Sequence, residues 1–362
     1  FQTGVEFDLG VVEGSVDYYS KLTKNQFFNR FVGPSQGISS ILVNDGELEN
    51  VGFEFDLTGH LINTKDYALD LNVNGEMIQN RITQMPLDPA TGEQQVLNGV
   101  LSVGRSIFDF YTREWAGVDP SDGAPMWYQY YDDINNNGVF DADEPTSGAN
   151  SWIPADTEIT NASGSIVEYQ QIVPGANIKK RVTKSYSEAS EVYVNKSGIA
   201  DIRGAFRLSG REKDFTISTQ FTYSLGGYAY DAQYGELMSD RFGAVGNNFH
   251  KDISNRWTTP GQITDVPRLA DGADQNATSN SSRFITSTDH LALNNVNVSY
   301  NVPSKFLEGK GLDTLNLWMS ADNLFMNTAR RGFLPTTSES GSSGRRLYAP
   351  MTTVTLGLRL KF

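Results

Sequence analysis

The chain of 362 residues contains no cysteine, which excludes a disulfide framework and any thiolate metal site. Its three histidines, His60, His250 and His290, stand apart from one another, and no His-Glu-x-x-His pair offers a hydrolytic zinc site. No Gly-x-x-x-x-Gly-Lys sequence provides a phosphate loop. There is no run of eighteen apolar residues, so no transmembrane helix is expected. Basic residues are outnumbered: 29 Lys and Arg stand against 43 Asp and Glu, a formal net charge of −14. Without a basic stripe, nucleic acid is excluded as a partner. Carboxylates are plentiful, but no pair is singled out as acid and base, and no enzyme is expected.

What the chain does have is alternation. From Pro350 to Phe362, Val354, Leu356, Leu358, Leu360 and Phe362 alternate with Thr353, Thr355, Gly357, Arg359 and Lys361. A period of two gives one apolar and one polar face. Two full charges on the polar face suit a water-filled lumen, with the apolar face turned to lipid. The pattern recurs around Val5–Leu9, Val12–Leu22, Val51–Leu57, Tyr67–Val73, Ile202–Leu208, Phe215–Tyr223, Val296–Tyr300 and Leu315–Ala321, making nine segments. Most are about ten residues long, as a tilted membrane strand requires. The expected fold is all-β: a transmembrane antiparallel β-barrel, of which this chain carries about nine strands.

The connections alternate too. Gly10–Val11, Asn63–Asp66 and Ser209–Asp214 are tight and Asn301–Leu312 is of medium length, whereas the stretches 25–50, 80–198, 226–289 and 326–348 are long and polar. A C-terminus in the periplasm places every long connection outside, as in outer-membrane barrels. Nine is an odd count, and an open sheet would leave two unpaired edges in lipid. With Phe1 already inside a strand and no initiator Met, residues 1–362 are expected to be the C-terminal part of a longer barrel chain, with 80–198 as a long extracellular insertion. The remaining strands, and a plug if there is one, would lie outside this sequence.

Inside that insertion, Asp133–Glu144 (DINNNGVFDADE) fits D-x-[DN]-x-[DN]-G-x5-E at every position. Calcium ligands would be Asp133, Asn135, Asn137, the Val139 carbonyl, Asp141 and a bidentate Glu144, with Gly138 at the sharp turn. The bland alternative is a polar, turn-prone loop. Two Asn among the ligands predict a modest affinity, on the order of 10⁻⁴–10⁻³ M, and a structural role for Ca2+. Trp115, Trp127, Tyr128, Tyr130, Tyr131 and Trp152 lie in the same insertion and are candidate contacts for a ligand or partner. Their alternative is a small core of the loop itself. Trp318 has lumen parity and is a candidate contact for a plug, whereas Tyr18, Phe27, Phe28, Tyr67, Tyr223 and Tyr300 read as an interface girdle.

Six stretches in order resemble one family, the SusC/RagA-like TonB-dependent transporters of the Gram-negative outer membrane. They are DYYSKLTK at 17–24, NDGELENVG at 44–52, EWAGVDP at 114–120 with Gly123 and Pro125, NRWT at 255–258 with DVPRL at 265–269, His290 to Pro303, and DNLF at 322–325 with the terminal LKF. Each alone is weak; their order is the signal. The resemblance implies a 22-stranded barrel holding an N-terminal plug, coupling to TonB through that absent region, and a SusD-like surface lipoprotein as lid. It further implies import of oligosaccharides or peptides, with a dimer of transporter–lid pairs as an assembly to expect. The competing readings are a passive porin or barrel adhesin, and a secreted calcium-binding β-sandwich that binds carbohydrate.

Overall fold

All nine alternating segments are strands of a single antiparallel sheet. The computed structural model describes residues 1–32, 37–38, 40–88, 92–97, 101–147, 152–155, 164–239, 248–269, 274–335, 341 and 350–362. In chain order the elements are β1 (Gln2–Asp8), β2 (Val12–Phe31), β3 (Ser40–Asn63), β4 (Tyr67–Gln84), β5 (Asp109–Arg113), β6 (Trp115–Val118), β7 (Pro125–Asp132), α1 (Ile166–Ile172), β8 (Ile178–Thr183) and β9 (Glu191–Ser197). There follow β10 (Ile202–Glu212), β11 (Phe215–Leu225), β12 (Tyr228–Tyr230), α2 (Ala232–Leu237), β13 (Ile285–Ser287), β14 (His290–Asn301), β15 (Thr314–Thr328) and β16 (Thr353–Lys361). The large sheet has the order β1-β2-β3-β4-β10-β11-β14-β15-β16. Each strand pairs with the next along the chain, and the excursions between β4 and β10 and between β11 and β14 leave the sheet and return to the same edge.

Burial in this sheet is inverted relative to a soluble protein. On β16, Leu356 is 75% and Leu358 62% exposed, and on β1 Val5 is 65% exposed. Compact cores lie instead in the long connections. One gathers Trp152, Ile166, Tyr169 and Val192, and another Met238, Val266 and Phe284. A third, Ile82, Met85 and Leu97, packs on Phe28 and Leu48 at the upper ends of β2–β4. Among the described residues no second sheet covers the apolar face; the three smaller sheets, β5-β9, β6-β7-β8 and β12-β13, belong to the connections. The sandwich alternative therefore does not fit.

Two expectations are corrected. Strands β2, β3 and β4 contain 20, 24 and 18 residues, so most of 25–50 is strand and not a long loop. The cause is visible on the outer face. It is apolar from Val51 to Leu61 on β3 and from Tyr67 to Met77 on β4, roughly the 9–11 residues that a tilted membrane strand needs. Beyond that, the outer face carries Glu49, which accepts from Arg81 at 2.6 and 2.8 Å and from Ser20 at 3.1 Å. Charge replaces the apolar row and pairing continues into water. Phe28 is the second correction: it packs into the Ile82–Met85 core and not into a girdle, whereas Tyr18, Phe27, Tyr67 and Tyr300 are exposed.

On the outer face two glycines meet. Gly75 of β4 pairs with Gly204 of β10, Phe55 lies beside Gly75 and Tyr223 beside Gly204. A Cβ at Gly75 would strike both rings, so the two aromatics close over a notch that only glycine leaves. The Tyr223 hydroxyl donates to the Asn74 carbonyl at 3.1 Å. Next to it Phe206 stacks on Phe221 at 4.6 Å.

Candidate functional site

The inner face is a polar wall, set by the same period of two. Cross-strand side chains form a ladder: Asn72 Nδ2 donates to Asp56 Oδ1 at 2.5 Å, Asn80 Nδ2 to Asn50 Oδ1 at 2.7 Å, and Asn295 Nδ2 to Asp322 Oδ1 at 2.7 Å. Arg203 pairs with Glu76. Such neighbours across antiparallel strands fix each other's rotamers. A concavity of about 970 Å³ lies against this wall and is lined by Asp17, Glu54, Asp56, Glu76, Arg203 and Asn294 among others. Four carboxylates face one guanidinium there, so the wall repels polyanions and offers hydrogen bonds to polar solutes. Trp318 is on this side, half-buried, with its ring over Gly357 of β16.

Above the wall the 80–198 insertion is a folded module. β6, β7 and β8 form a three-stranded sheet, and β5 pairs with β9 across about eighty residues of chain. Two stretches far apart in sequence lock together here. The ring of Trp257 lies over Gly123, whose φ of +75° suits only a residue without Cβ. Trp257 Nε1 donates to the Pro120 carbonyl at 3.1 Å, and the Arg268 backbone N–H donates to the Gly123 carbonyl at 2.9 Å. Lys184 bridges Asp119 at 2.6 Å and Asp122 at 3.0 Å. That ammonium and the Ser121 hydroxyl and N–H hold the Asp119 carboxyl far below the usual range. The Ala124 N–H and Lys184 lower Asp122, and the two carboxylates raise Lys184. The clamp escaped sequence reading because its partners are separated by more than sixty residues.

The aromatic candidates divide. Trp127, Tyr131 and Trp152 are 2–3% exposed and form the module's own core, which removes them as contact residues. Trp127 meets Trp115 edge-on at 5.5 Å and Tyr186 at 5.4 Å, and Trp152 lies against Tyr169 at 5.2 Å. Trp115, Tyr128 and Tyr130 remain half-exposed. Lys180 sits over the Tyr128 ring at 3.9 Å, Arg283 over Trp115 at 4.8 Å, and the Tyr130 hydroxyl donates to Glu114. Burial, then that carboxylate, pushes the Tyr130 hydroxyl up.

The 133–144 segment leaves the end of β7 as a tight loop. Asp133 accepts from the N–H groups of Asn137 and Gly138, each at 3.0 Å. Asn135 and Asn137 both donate to Asp141 Oδ2, at 2.7 and 2.8 Å. The Val139 N–H donates to Asn137 Oδ1 at 2.6 Å, and the Asp141 N–H to Glu144 Oε2 at 3.0 Å. Among the described residues no group of three or more Asp, Glu and His side chains stands at metal-binding distance.

No protein-family model matches the chain. It is 26% identical over 388 residues to TonB-dependent receptor P3 of Formosa agariphila, an alignment covering all of this chain and 34% of that receptor. It is 23% identical over 363 residues to TonB-dependent receptor P39 of the same organism, covering 96% of this chain and 34% of the relative. The chain thus spans about a third of the length of the curated relatives it matches. Its fold matches the structure of the RagAB peptide transporter with a TM-score of 0.69 at 21% identity, over all of this chain and 35% of the other. The RagAB peptide importer in an open-open state gives 0.67 at 20% identity, over 97% and 33%.

Proposed function

We propose that this chain, a segment of a SusC/RagA-like TonB-dependent transporter, builds one wall of an outer-membrane barrel that imports polar oligosaccharides or peptides. The observation that carries the reading is the inverted burial of the nine-stranded sheet. A bare apolar face of that extent is stable against hydrocarbon, and a charged, amide-lined face opposite it suits a hydrated passage. The remaining strands then pair with β1 and β16, and a plug contacted by TonB supplies the energy coupling. Inner side chains such as Trp318 pack on that plug.

With the C-terminus in the periplasm, the folded insertion faces the exterior. A SusD-like lipoprotein closes over it as a lid, and Trp115, Tyr128 and Tyr130 are the aromatic surfaces offered to cargo or lid. RagAB, a peptide importer, shares the fold, which supports peptides as one cargo class. The excess of carboxylates along the concavity favours neutral or cationic cargo over polyanions. A pair of transporter–lid units is the assembly this reading implies.

The test is purification of the full-length receptor from outer membranes in mild detergent, with uptake followed in cells. One lipoprotein should copurify in equal amount, and uptake should stop when an uncoupler collapses the proton gradient. Uptake indifferent to the uncoupler would make the protein a passive porin. A receptor that stays monodisperse without detergent would remove the membrane reading altogether.

A further inference from the structure

We propose that residues 133–144 form a calcium site in which Asp133, Asn135, Asn137, the Val139 carbonyl, Asp141 and Glu144 supply the oxygen ligands. Spacing alone does not carry this, since any Asn- and Asp-rich turn can fold back on its own amides. The independent observation is Glu144. It is 4% exposed, its Oε2 is held by the Asp141 N–H, and its Oε1 is buried with no hydrogen-bond partner. Asp133 is 1% exposed, and among the described residues no Lys or Arg lies within ion-pair distance of Asp133, Asp141 or Glu144. Two buried carboxylates with no cationic partner are costly, and the usual remedies are a counter-ion or protonation.

The surroundings favour the counter-ion. Three of the five ligating side chains already converge, since both Asn amides reach one oxygen of Asp141. Left-handed backbone at Asn136 and Gly138 makes the turn that brings Asp133 across from the later ligands. The frame is held from outside. Tyr169 and the Asn177 N–H bind Asp132 at 2.8 and 2.7 Å, and Asn177 Nδ2 reaches Asn136 Oδ1 at 2.8 Å. Phe140 meets Tyr131 edge-on at 5.3 Å and carries Arg181 over its ring at 3.8 Å. The Asp132 N–H donates to the Pro145 carbonyl at 2.9 Å, pinning the two ends of the loop together. Loading turns the Asn135 and Asn137 amides so that oxygen replaces N–H₂ toward the centre, and Glu144 Oε1 gains its missing partner.

Terbium luminescence on the purified full-length receptor tests it, with Trp127 and Tyr131 as sensitisers. Emission should appear on Tb3+ addition and be displaced by Ca2+ on the order of 10⁻⁴–10⁻³ M, and much less readily by Mg2+. Chymotrypsin cleavage after Phe140 should slow in calcium and quicken in a chelator. Glu144→Gln keeps the shape and removes the charge; it should weaken Ca2+ displacement about tenfold or more. No emission and no calcium-dependent protection in wild type at about tenfold above that range would overturn the site, irrespective of how any variant folds. Unaltered binding by Glu144→Gln would overturn the ligand assignment. Stabilisation by Glu144→Gln without any ion effect would show the carboxyl buried in its neutral form and also refute the proposal.

Discussion

Consider Leu356→Arg on β16. Leu356 is 75% exposed in the isolated chain and pairs with Met319 of β15, near the middle of the apolar row from Val354 to Leu360. Were that surface wetted, replacing an exposed leucine would change stability by no more than about 0.5 kcal/mol. Against hydrocarbon, an arginine near the bilayer midplane costs about 2–4 kcal/mol, a factor of roughly 25 to 700 in the folding equilibrium. The neighbouring Thr355→Arg supplies the control: Thr355 pairs with Ser320 and faces the lumen side, where a charge is solvated. The full-length receptor is unfolded by urea in lipid vesicles, with heat-modifiable gel mobility as a second readout. Leu356→Arg should lose about 2–4 kcal/mol, and Thr355→Arg should stay within about 0.5 kcal/mol of wild type. Equal effects of the two substitutions would refute the assignment of the faces.

Other consequences are equally checkable. Gly123→Val places a β-branched side chain at φ +75° and against the Trp257 ring; it should cost about 1–3 kcal/mol locally, seen as faster hydrogen exchange at 255–269. Trp127→Ala empties the core of the insertion and should destabilise that module by about 3–5 kcal/mol while leaving the heat-modifiable barrel intact; loss of the barrel as well would mean the two are not separable. Asp119 and Asp122 are held below their ordinary values, so their contribution is complete above about pH 4 and decays as pH falls through the depressed values. Lys184 is raised, so its contribution holds below about pH 10 and is lost as pH rises through the raised value. The urea midpoint read by Trp257 fluorescence should accordingly be flat from about pH 5 to 9 and fall as pH drops below about 4; a midpoint unchanged between about pH 5 and 2.5 would dismiss the clamp.

The nine strands were readable because each presents hydrocarbon-facing and water-facing residues in strict alternation, the strongest contrast a strand can have. That contrast disappears at Glu49, Arg81 and Ser20, where both faces meet water, and with it the signal for the upper halves of β2–β4. Register slips at Asn25 and Asn323, both with positive φ, were hidden for a similar reason: an inserted residue leaves composition unchanged and only shifts parity. Within the insertion, β5 finds β9 and Trp257 finds Gly123 through long-range packing that no local period encodes. The spacing of Asp133 to Glu144 was plain in the sequence, whereas the burial of Trp127, Tyr131 and Trp152 was not, because an aromatic cluster reads the same whether it caps a surface or fills a core. Of the 326–348 connection, residues 336–340 and 342–348 lie outside the described residues.

The place where the outer face turns from apolar to charged also fixes how the protein sits in its bilayer. About eleven residues at ~3.3 Å each, tilted by about 45°, span roughly 25 Å. At one limit stands the Glu49–Arg81 pair, and at the other the turn where the Lys213 N–H donates to the Asp66 carbonyl at 2.7 Å and Arg211 binds the Lys65 carbonyl at 3.1 Å. Neither end can slide into the acyl chains without stripping water from charge. The strands therefore act as a gauge of membrane thickness, and lipids with a deeper hydrocarbon layer must compress around the barrel because it cannot ride up to meet them.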